Sequence, residues 1–322
     1  MLAVRPGILF GLVVNRRPEL TSSALSGVER GATVTDMSQA VPMFLLNALL
    51  DDFSMIRRPG AGGGAGRAGG ASRTAEPLSP AVGRQAVHAE DWPDAFTDPA
   101  DAVPNLPVLI HGPAARALAG YRTAAAVWPA VGIDIAQELD RHCGESVHRS
   151  LAHLTQLPRS VPVTVGLPLE PGWRDGLSMI SARGRSVRFA VCGVDAPDAA
   201  VLVEAIRAAV AERCAFSWSC GMWDAVTDPW DAELPGILNV LLATGAALRG
   251  DGGAQIGAQL ARTDRVEIVD DVSELDDATA RQIRALLDGF AVPRIAPVVD
   301  SLRDLDLLPK AAQEPWDGLA VR

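Results

Sequence analysis

The sequence has a single lysine and few cysteines, and both shortages exclude familiar chemistry. The lysine is Lys310, which stands between Pro309 and Ala311 near the end of the chain. A Schiff-base mechanism needs a lysine in a desolvated pocket, so we expect none here. The cysteines form no CxxC pair and have no spacing typical of metal ligands, which predicts buried, reduced thiols rather than disulfides or a metal centre. They are Cys143, Cys192, Cys214 and Cys220.

Basic charge and long apolar runs are also scarce. Lys and Arg number 29 against 39 for Asp and Glu, which gives a net charge of −10 at pH 7. Nucleic acids and anionic membranes attract basic surfaces, so we expect neither as a partner. The apolar runs Ile8–Val14 and Pro235–Leu248 are shorter than the roughly 20 residues that span a bilayer. No signal-peptide cleavage pattern follows the first run, and we therefore expect a cytoplasmic protein.

No glycine-rich phosphate-binding motif follows any predicted strand. GxGxxG and GxxxxGK[ST] are absent from the positions where they would have to lie, and the glycines at 60–70 have no strand before them and no helix after them. This argues against the Rossmann and P-loop folds. The missing GxSxG argues against a Ser-His-Asp hydrolase. We expect no cofactor.

Composition divides the chain into four segments. Residues 1–56 have little regular pattern, with a weak strand signal at 7–14 and a weak helix signal at 37–53. Residues 57–102 begin with the Gly/Ala/Ser/Pro-rich stretch 57–83, which is typical of a flexible linker. We therefore predict an N-terminal extension at 1–56, a linker at 57–102, a folded domain at 103–310 and a tail at 311–322. Deletion of residues 1–84 is expected to cost little stability.

Short apolar runs alternate with helical patterns after residue 103. Predicted strands are 106–111, 130–135, 161–167, 186–193, 215–221 and 266–269, and predicted helices are 114–126, 137–157, 196–214, 234–249 and 273–290. Such alternation is typical of βα units with a parallel sheet, either a barrel or a doubly wound open sheet. The missing phosphate motifs favour the barrel. We predict an α/β fold with a (β/α) barrel-like parallel sheet after a largely flexible N-terminal region.

Three segments carry a family resemblance. VRFAVCG at 187–193, FSWSCGMWD at 216–224 and PGILNVLLA at 235–243 resemble the motifs AKxRxGG, FKxTAGLHH and GFLNVLLA of a group of uncharacterised actinobacterial (β/α)-barrel-like proteins. The ending PVVDSLRDLDLLP at 297–309 is also similar, so that the resemblance covers about 103–310. It implies a barrel fold but indicates no substrate.

The departures from these motifs lie at polar positions. The strand lysine of the group is Ser217 here, and the His-His pair is Trp223 and Asp224. In the earlier strand, Ala190 stands where the group has an arginine, and Arg188 keeps a positive charge where the group has a lysine. A lysine and two histidines at strand ends could polarise a carbonyl or hold a metal, which these residues cannot do in the same way. The resemblance therefore implies a retained scaffold with altered or lost chemistry.

The carboxyl ends of barrel strands supply the candidate site, because they line the active sites of such barrels. His111 is a candidate base or ligand, with an exposed loop histidine as the alternative, and Asp134 and Asp224 are the other candidate catalytic residues. Arg188 is predicted to point into the barrel, pair with Asp134 or Asp224, and bind an anionic ligand. That Asp134–Arg188 pair could equally be structural. Other candidate ligand contacts are Cys220 and Trp223.

The remaining histidines predict no metal site. His142, His148 and His153 fall about 240° and 140° apart on a helix, so their side chains diverge. Two functions stay open for the chain. It is either a cofactor-free barrel enzyme acting on a small anionic metabolite, or a non-catalytic barrel relative that binds a ligand or a partner protein.

Overall fold

The computed structural model describes most of the chain after residue 42. The described residues are 43–53, 79–91, 107–126, 128, 131–136, 143–191, 198–219, 224–228 and 234–308. They all belong to one compact unit, Gln39–Arg322. The strand predicted at 7–14, most of the predicted linker and the predicted tail lie outside the described residues.

Parallel strands close into a barrel, which confirms the predicted fold class. The strands are β1 (Leu50–Asp52), β2 (Val82–His88), β3 (Val108–Gly112), β4 (Val131–Ile135), β5 (Val163–Pro168), β6 (Ser186–Ala190), β7 (Phe216–Ser219) and β8 (Leu287–Val292). Each strand pairs with its neighbour in sequence, and β1 also pairs with β8 to close the sheet. No edge strand is left at this closure.

Helices surround the barrel and connect its strands. They are α1 (Met43–Leu46), α2 (Ala114–Ala124), α3 (Cys143–His153), α4 (Trp173–Ala182), α5 (Ala199–Ala211), α6 (Ile237–Leu248), α7 (Gly253–Ala261), α8 (Arg265–Ser273), α9 (Asp277–Leu286) and α10 (Ile295–Asp304). A 3-10 turn, Leu154–Gln156, follows α3. Four of the helices, α6 to α9, lie between β7 and β8, where a simple βα unit has one. Among the described residues no helix combines the length and hydrophobicity needed to cross a bilayer.

Alternation along each strand separates the core from the barrel interior. On β6, Val187 and Phe189 are fully buried in the main apolar core, and the Phe189 ring meets that of Trp173 on α4 at 6.1 Å between centroids. Arg188, between them, therefore points into the barrel, as its strand alternation predicts. A separate small apolar cluster, formed by Phe53, Ala86, Leu109 and Ala291, lies among the inward-facing positions.

The barrel starts far earlier than residue 103, so that predicted boundary is wrong. β1 lies in the predicted extension and β2 in the predicted linker. Two glycines show how closely this segment is packed: a Cβ at Gly83 would stand 2.7 Å from the Ala48 carbonyl oxygen, and one at Gly289 would stand 2.5 Å from that of Leu49. The turn between α1 and β1 is thus wedged between β2 and β8. Only glycine permits this approach.

Three predictions of helices and strands are also wrong. Of the helix predicted at 37–53, the described residues contain only the short α1, and β1 begins at Leu50. The strand predicted at 266–269 is part of α8, whose start is capped by the Asp264 carboxylate accepting from the backbone N–H groups of Val266 and Glu267. The helix predicted at 273–290 ends at Leu286, and the chain continues directly as β8.

Candidate active site

The barrel interior is charged where such barrels are usually filled by branched aliphatic side chains. Asp51, Asp134 and Arg188 are almost completely buried, with relative exposures of 1%, 1% and 3%. A buried charge is stable only if it is paired and hydrogen-bonded. The interior must therefore contain an organised set of ion pairs.

These charges form one continuous chain across the barrel. Arg84 donates to Asp288 at 2.8 Å and to both carboxylate oxygens of Asp51 at 2.7 and 2.8 Å. Arg188 donates from Nη2 to Asp51 at 3.2 Å and from Nε to Asp134 at 2.8 Å. Three carboxylates and two guanidinium groups form this chain of ion pairs, and Asp288 and Asp51 also interact electrostatically with the Arg284 guanidinium.

Arg188 is held at the centre of this chain. Its Nε and Nη2 bind carboxylates, whereas its Nη1 is buried and has no hydrogen-bond partner in the described part of the chain. The Phe53 ring, just past the end of β1, lies 4.7 Å from the guanidinium carbon. This cation–π contact covers the guanidinium with an aromatic face.

His111 ends the chain of ion pairs at the carboxyl end of the barrel. Its Nδ1 lies 2.6 Å from Oδ2 of Asp134, and its side chain is 19% exposed. Burial alone would raise the pKa of Asp134, but the charge of Arg188 and the hydrogen bond from His111 outweigh it and lower that pKa to about 2. An ionised carboxylate can only accept a hydrogen bond, so Nδ1 carries the proton. In the neutral ring Nε2 then has a free lone pair.

A second histidine stands next to His111. His88 and His111 are register partners at the ends of β2 and β3, and Asp134 is the next partner on β4. The two imidazole rings are 6.1 Å apart at an angle of 70°. The Nδ1 of His88 accepts a 3.5 Å hydrogen bond from the backbone N–H of Glu90. Partial burial, then the nearby His111, lower the pKa of His88 against the opposing effect of Asp91.

The structure brings together three of the predicted site residues. His111, Asp134 and Arg188 are linked directly, and the predicted Arg188–Asp134 pair is confirmed at 2.8 Å. Cys220 and Trp223 lie outside the described residues. Asp224 is exposed, and no described contact joins its carboxylate to the other three residues.

The loop that contains Asp224 is fixed by its backbone. The Asp224 carbonyl accepts from the N–H of Ile237, and the N–H of Thr227 donates to Oδ1 of Asn239 at 3.0 Å. Asn239 is fully buried on α6, and its amide nitrogen also donates to the carbonyl oxygens of Gln259 and Arg262. The asparagine of the segment that resembles GFLNVLLA therefore joins this loop to α7.

Sequence reasoning missed Asp51, Arg84 and His88. Their strands are short or follow a low-complexity stretch, so no apolar periodicity marks them. One signal was present, because Asp51 and Asp52 directly follow the apolar run 41–50. A carboxylate pair at the end of such a run is typical of a strand end at a site, as well as of a helix end.

No described group of three or more His, Cys, Asp or Glu side chains has an arrangement suited to a metal ion. The described thiols, Cys143 and Cys214, are free and buried. Burial raises their pKa values to about 11 and about 12. Both are therefore protonated near neutral pH and unsuited to nucleophilic or metal chemistry.

Comparisons with family models, with curated proteins and with solved structures each found no match to this chain.

Proposed function

We propose that this protein is a barrel enzyme that catalyses proton transfer on a small polar metabolite, with His111 as the proton-transferring residue. The observation that carries the proposal is the 2.6 Å contact between Nδ1 of His111 and the buried, ionised Asp134. A carboxylate in this position selects one imidazole tautomer and fixes the ring. Nε2 is then directed away from Asp134 and is available to a substrate at the mouth of the barrel.

The chain of ion pairs supports the same chemistry. When Nε2 accepts a proton, the ring becomes an imidazolium next to Asp134. The ionised Asp134 offsets that positive charge, and pre-organised charges of this kind stabilise a transition state without rearranging. The sequence favours cofactor-free acid–base chemistry, since it has no nucleotide-binding motif and only one lysine, Lys310.

Arg188 acts in this proposal as a positioning residue for Asp134. Two of its nitrogens already bind carboxylates, and Asp51 and Asp134 together outweigh its charge. A free anion would meet those carboxylates as well as the guanidinium. The metabolite contacts expected of Arg188 are therefore limited to Nη1, which can donate to a carbonyl, hydroxyl or carboxylate oxygen.

A ligand screen with matched histidine variants tests the proposal. Thermal shifts with phosphorylated, carboxylated and uncharged small metabolites would identify ligands, and NMR would follow the conversion of each ligand. We expect conversion by the unsubstituted protein, and a loss of about 100-fold or more in His111→Gln with binding retained. His148→Gln, at an exposed position on α3, is the matched control and should convert the ligand normally.

Two results would contradict the proposal. Conversion by His111→Gln at the rate of the unsubstituted protein would remove His111 from the chemistry. Ligands that raise the melting temperature but are never converted would instead support the alternative, a non-catalytic barrel relative that binds a small molecule.

A further inference from the structure

The Nδ1 atoms of His88 and His111 have opposite hydrogen-bonding roles toward their fixed partners. The Nδ1 of His111 donates to Asp134, so its Nε2 is unprotonated in the neutral ring. The Nδ1 of His88 accepts from the backbone N–H of Glu90, so its Nε2 carries the proton in the neutral ring. The two neighbouring imidazoles therefore have opposite tautomers: one ends in a base and the other in a hydrogen-bond donor.

The surroundings of His88 keep its ring neutral. The groups that act on it are Asp91, which favours the charged form, and His111 and Arg116, which disfavour it. Arg116 on α2 is paired with Glu90, so the two form an ion pair beside the histidine. Partial burial also disfavours the charged form of the His88 ring. A neutral imidazole with a proton on Nε2 can polarise a carbonyl oxygen, as a neutral histidine does in triosephosphate isomerase.

We infer that His88 is a second catalytic residue and that the pair acts on a carbonyl compound with a hydrogen on the adjacent carbon. The inference rests on the proposed function of His111. Removal of such a hydrogen requires a base at the carbon and a donor at the oxygen, and the two rings, 6.1 Å apart, supply one each. The hydrogen bond to Asp134 and the ring contact with Phe53 hold His111 in place.

The step is balanced without any further reagent. The C–H bond breaks, its proton goes to Nε2 of His111, and its electron pair forms the carbon–carbon double bond of an enolate. The negative charge develops on the former carbonyl oxygen, which accepts a hydrogen bond from Nε2–H of His88. The imidazolium of His111 then returns a proton to carbon, and in D2O it returns a deuteron after exchange with solvent.

Exchange of carbon-bound hydrogen for deuterium tests this inference directly. Glycolaldehyde, hydroxyacetone and dihydroxyacetone phosphate are the probes, each followed by loss of its α-hydrogen signal in D2O. We expect exchange with at least one probe. The rate should fall about 100-fold in His111→Gln and about 10-fold or more in His88→Phe, which keeps an aromatic ring but has no donor.

Two further variants separate a catalytic role of His88 from a structural one. His88→Gln keeps an N–H donor at similar reach and should recover much of the rate lost in His88→Phe. His148→Gln, at an exposed site on α3, should exchange the probe normally. The melting temperature of each variant shows whether it is folded, and the partly exposed position of His88 makes both replacements tolerable.

The possible failures point to different errors. Normal exchange by His88→Phe together with lost exchange in His111→Gln would overturn the role of His88 and leave the proposed function standing. Normal exchange in both variants would overturn both proposals. Absence of exchange with every probe in the unsubstituted protein would overturn the carbonyl class, and the ligand screen would still decide the role of His111.

Discussion

Arg188 is the residue on which most of the buried charge depends. Two carboxylates, Asp51 and Asp134, share it at 3.2 and 2.8 Å. The Asp51 contact joins residues 137 positions apart in the chain, so it also fixes β1 against β6. Removal of one partner from a buried pair leaves an uncompensated charge, which is far more destabilising than loss of the pair as a whole.

Arg188→Met should therefore lower the free energy of unfolding by about 3 to 5 kcal/mol, since Met keeps the volume of the stem but leaves Asp134 without a guanidinium partner and Asp51 with only Arg84. Arg281→Met is the matched control, because Arg281 is exposed and its contacts are an i,i+4 pair with Asp277 and a 5.5 Å cation–π contact with the Phe44 ring. That change should alter stability by less than about 1 kcal/mol. Chemical denaturation measures both. Equal stability of the two variants would show that the interior charges are not coupled as described.

Asp134 should give the fold a defined sensitivity to acid. Its pKa is lowered to about 2 in the folded protein, below its usual range, so the folded state favours the ionised carboxylate. The stabilisation is complete above pH 4 and is lost as the pH falls towards 2, when the folded form must also bind the proton. It amounts to about 2 kcal/mol.

The difference in unfolding free energy between the unsubstituted protein and Asp134→Asn should accordingly shrink by about 2 kcal/mol between pH 4 and pH 2. Asn keeps the shape of the side chain and has no such titration. Urea denaturation at several pH values gives the comparison. A difference that stays constant over this range would show that Asp134 is not held in its ionised form by Arg188 and His111.

At the level of elements, the junction of β8, β1 and β2 depends on close backbone contact. Gly289→Ala would place a methyl group 2.5 Å from the Leu49 carbonyl oxygen and should destabilise the fold by about 3 kcal/mol or more. Gly257→Ala on α7 is the control, because its methyl group would meet Val203 at an ordinary 3.5 Å. It should be neutral or stabilise by up to about 1 kcal/mol. Equal effects of the two changes would argue against closure of the barrel by β1.

The same elements show how far sequence reasoning reaches. The predicted runs that became β3 to β7 have apolar residues on their outer faces, because those faces pack against helices. Alternation on β6 then predicted the direction of Arg188, for which Asp134 and Asp224 were the expected partners. β1 has only three residues, two of them aspartates, and its strand state comes entirely from its neighbours β2 and β8. Apolar periodicity contains no signal for such a strand.

The eighth strand was missed for a related reason. Leu286 and Leu287 continue the apolar spacing of α9, although the helix ends at the first and the strand begins at the second. Gly289 and Phe290 in β8 owe their conformation to pairing with β7 and β1. Pairings between distant segments, like the ion pairs of Asp51, depend on tertiary structure that a single sequence does not display.

For the molecule as a whole, the strands that close the barrel also supply residues of the candidate site. β1 supplies Asp51 and leads to Phe53, β2 supplies Arg84 and His88, and the chain of ion pairs extends from Asp288 to His111. Those charges replace the aliphatic layers that fill other barrels of this kind. The interior therefore supports the fold and fixes one histidine at the mouth of the barrel.

The position of the proton on His111 tests this account most directly. A long-range 1H–15N NMR spectrum of protein labelled with 15N-histidine, recorded near pH 8, distinguishes the two ring nitrogens, and comparison with His111→Gln assigns the signal. The account predicts a proton on Nδ1, donated to Asp134, and a bare Nε2. A proton on Nε2 with a bare Nδ1 would contradict it, because Asp134 would then not hold the ring and His111 would present no base to a substrate.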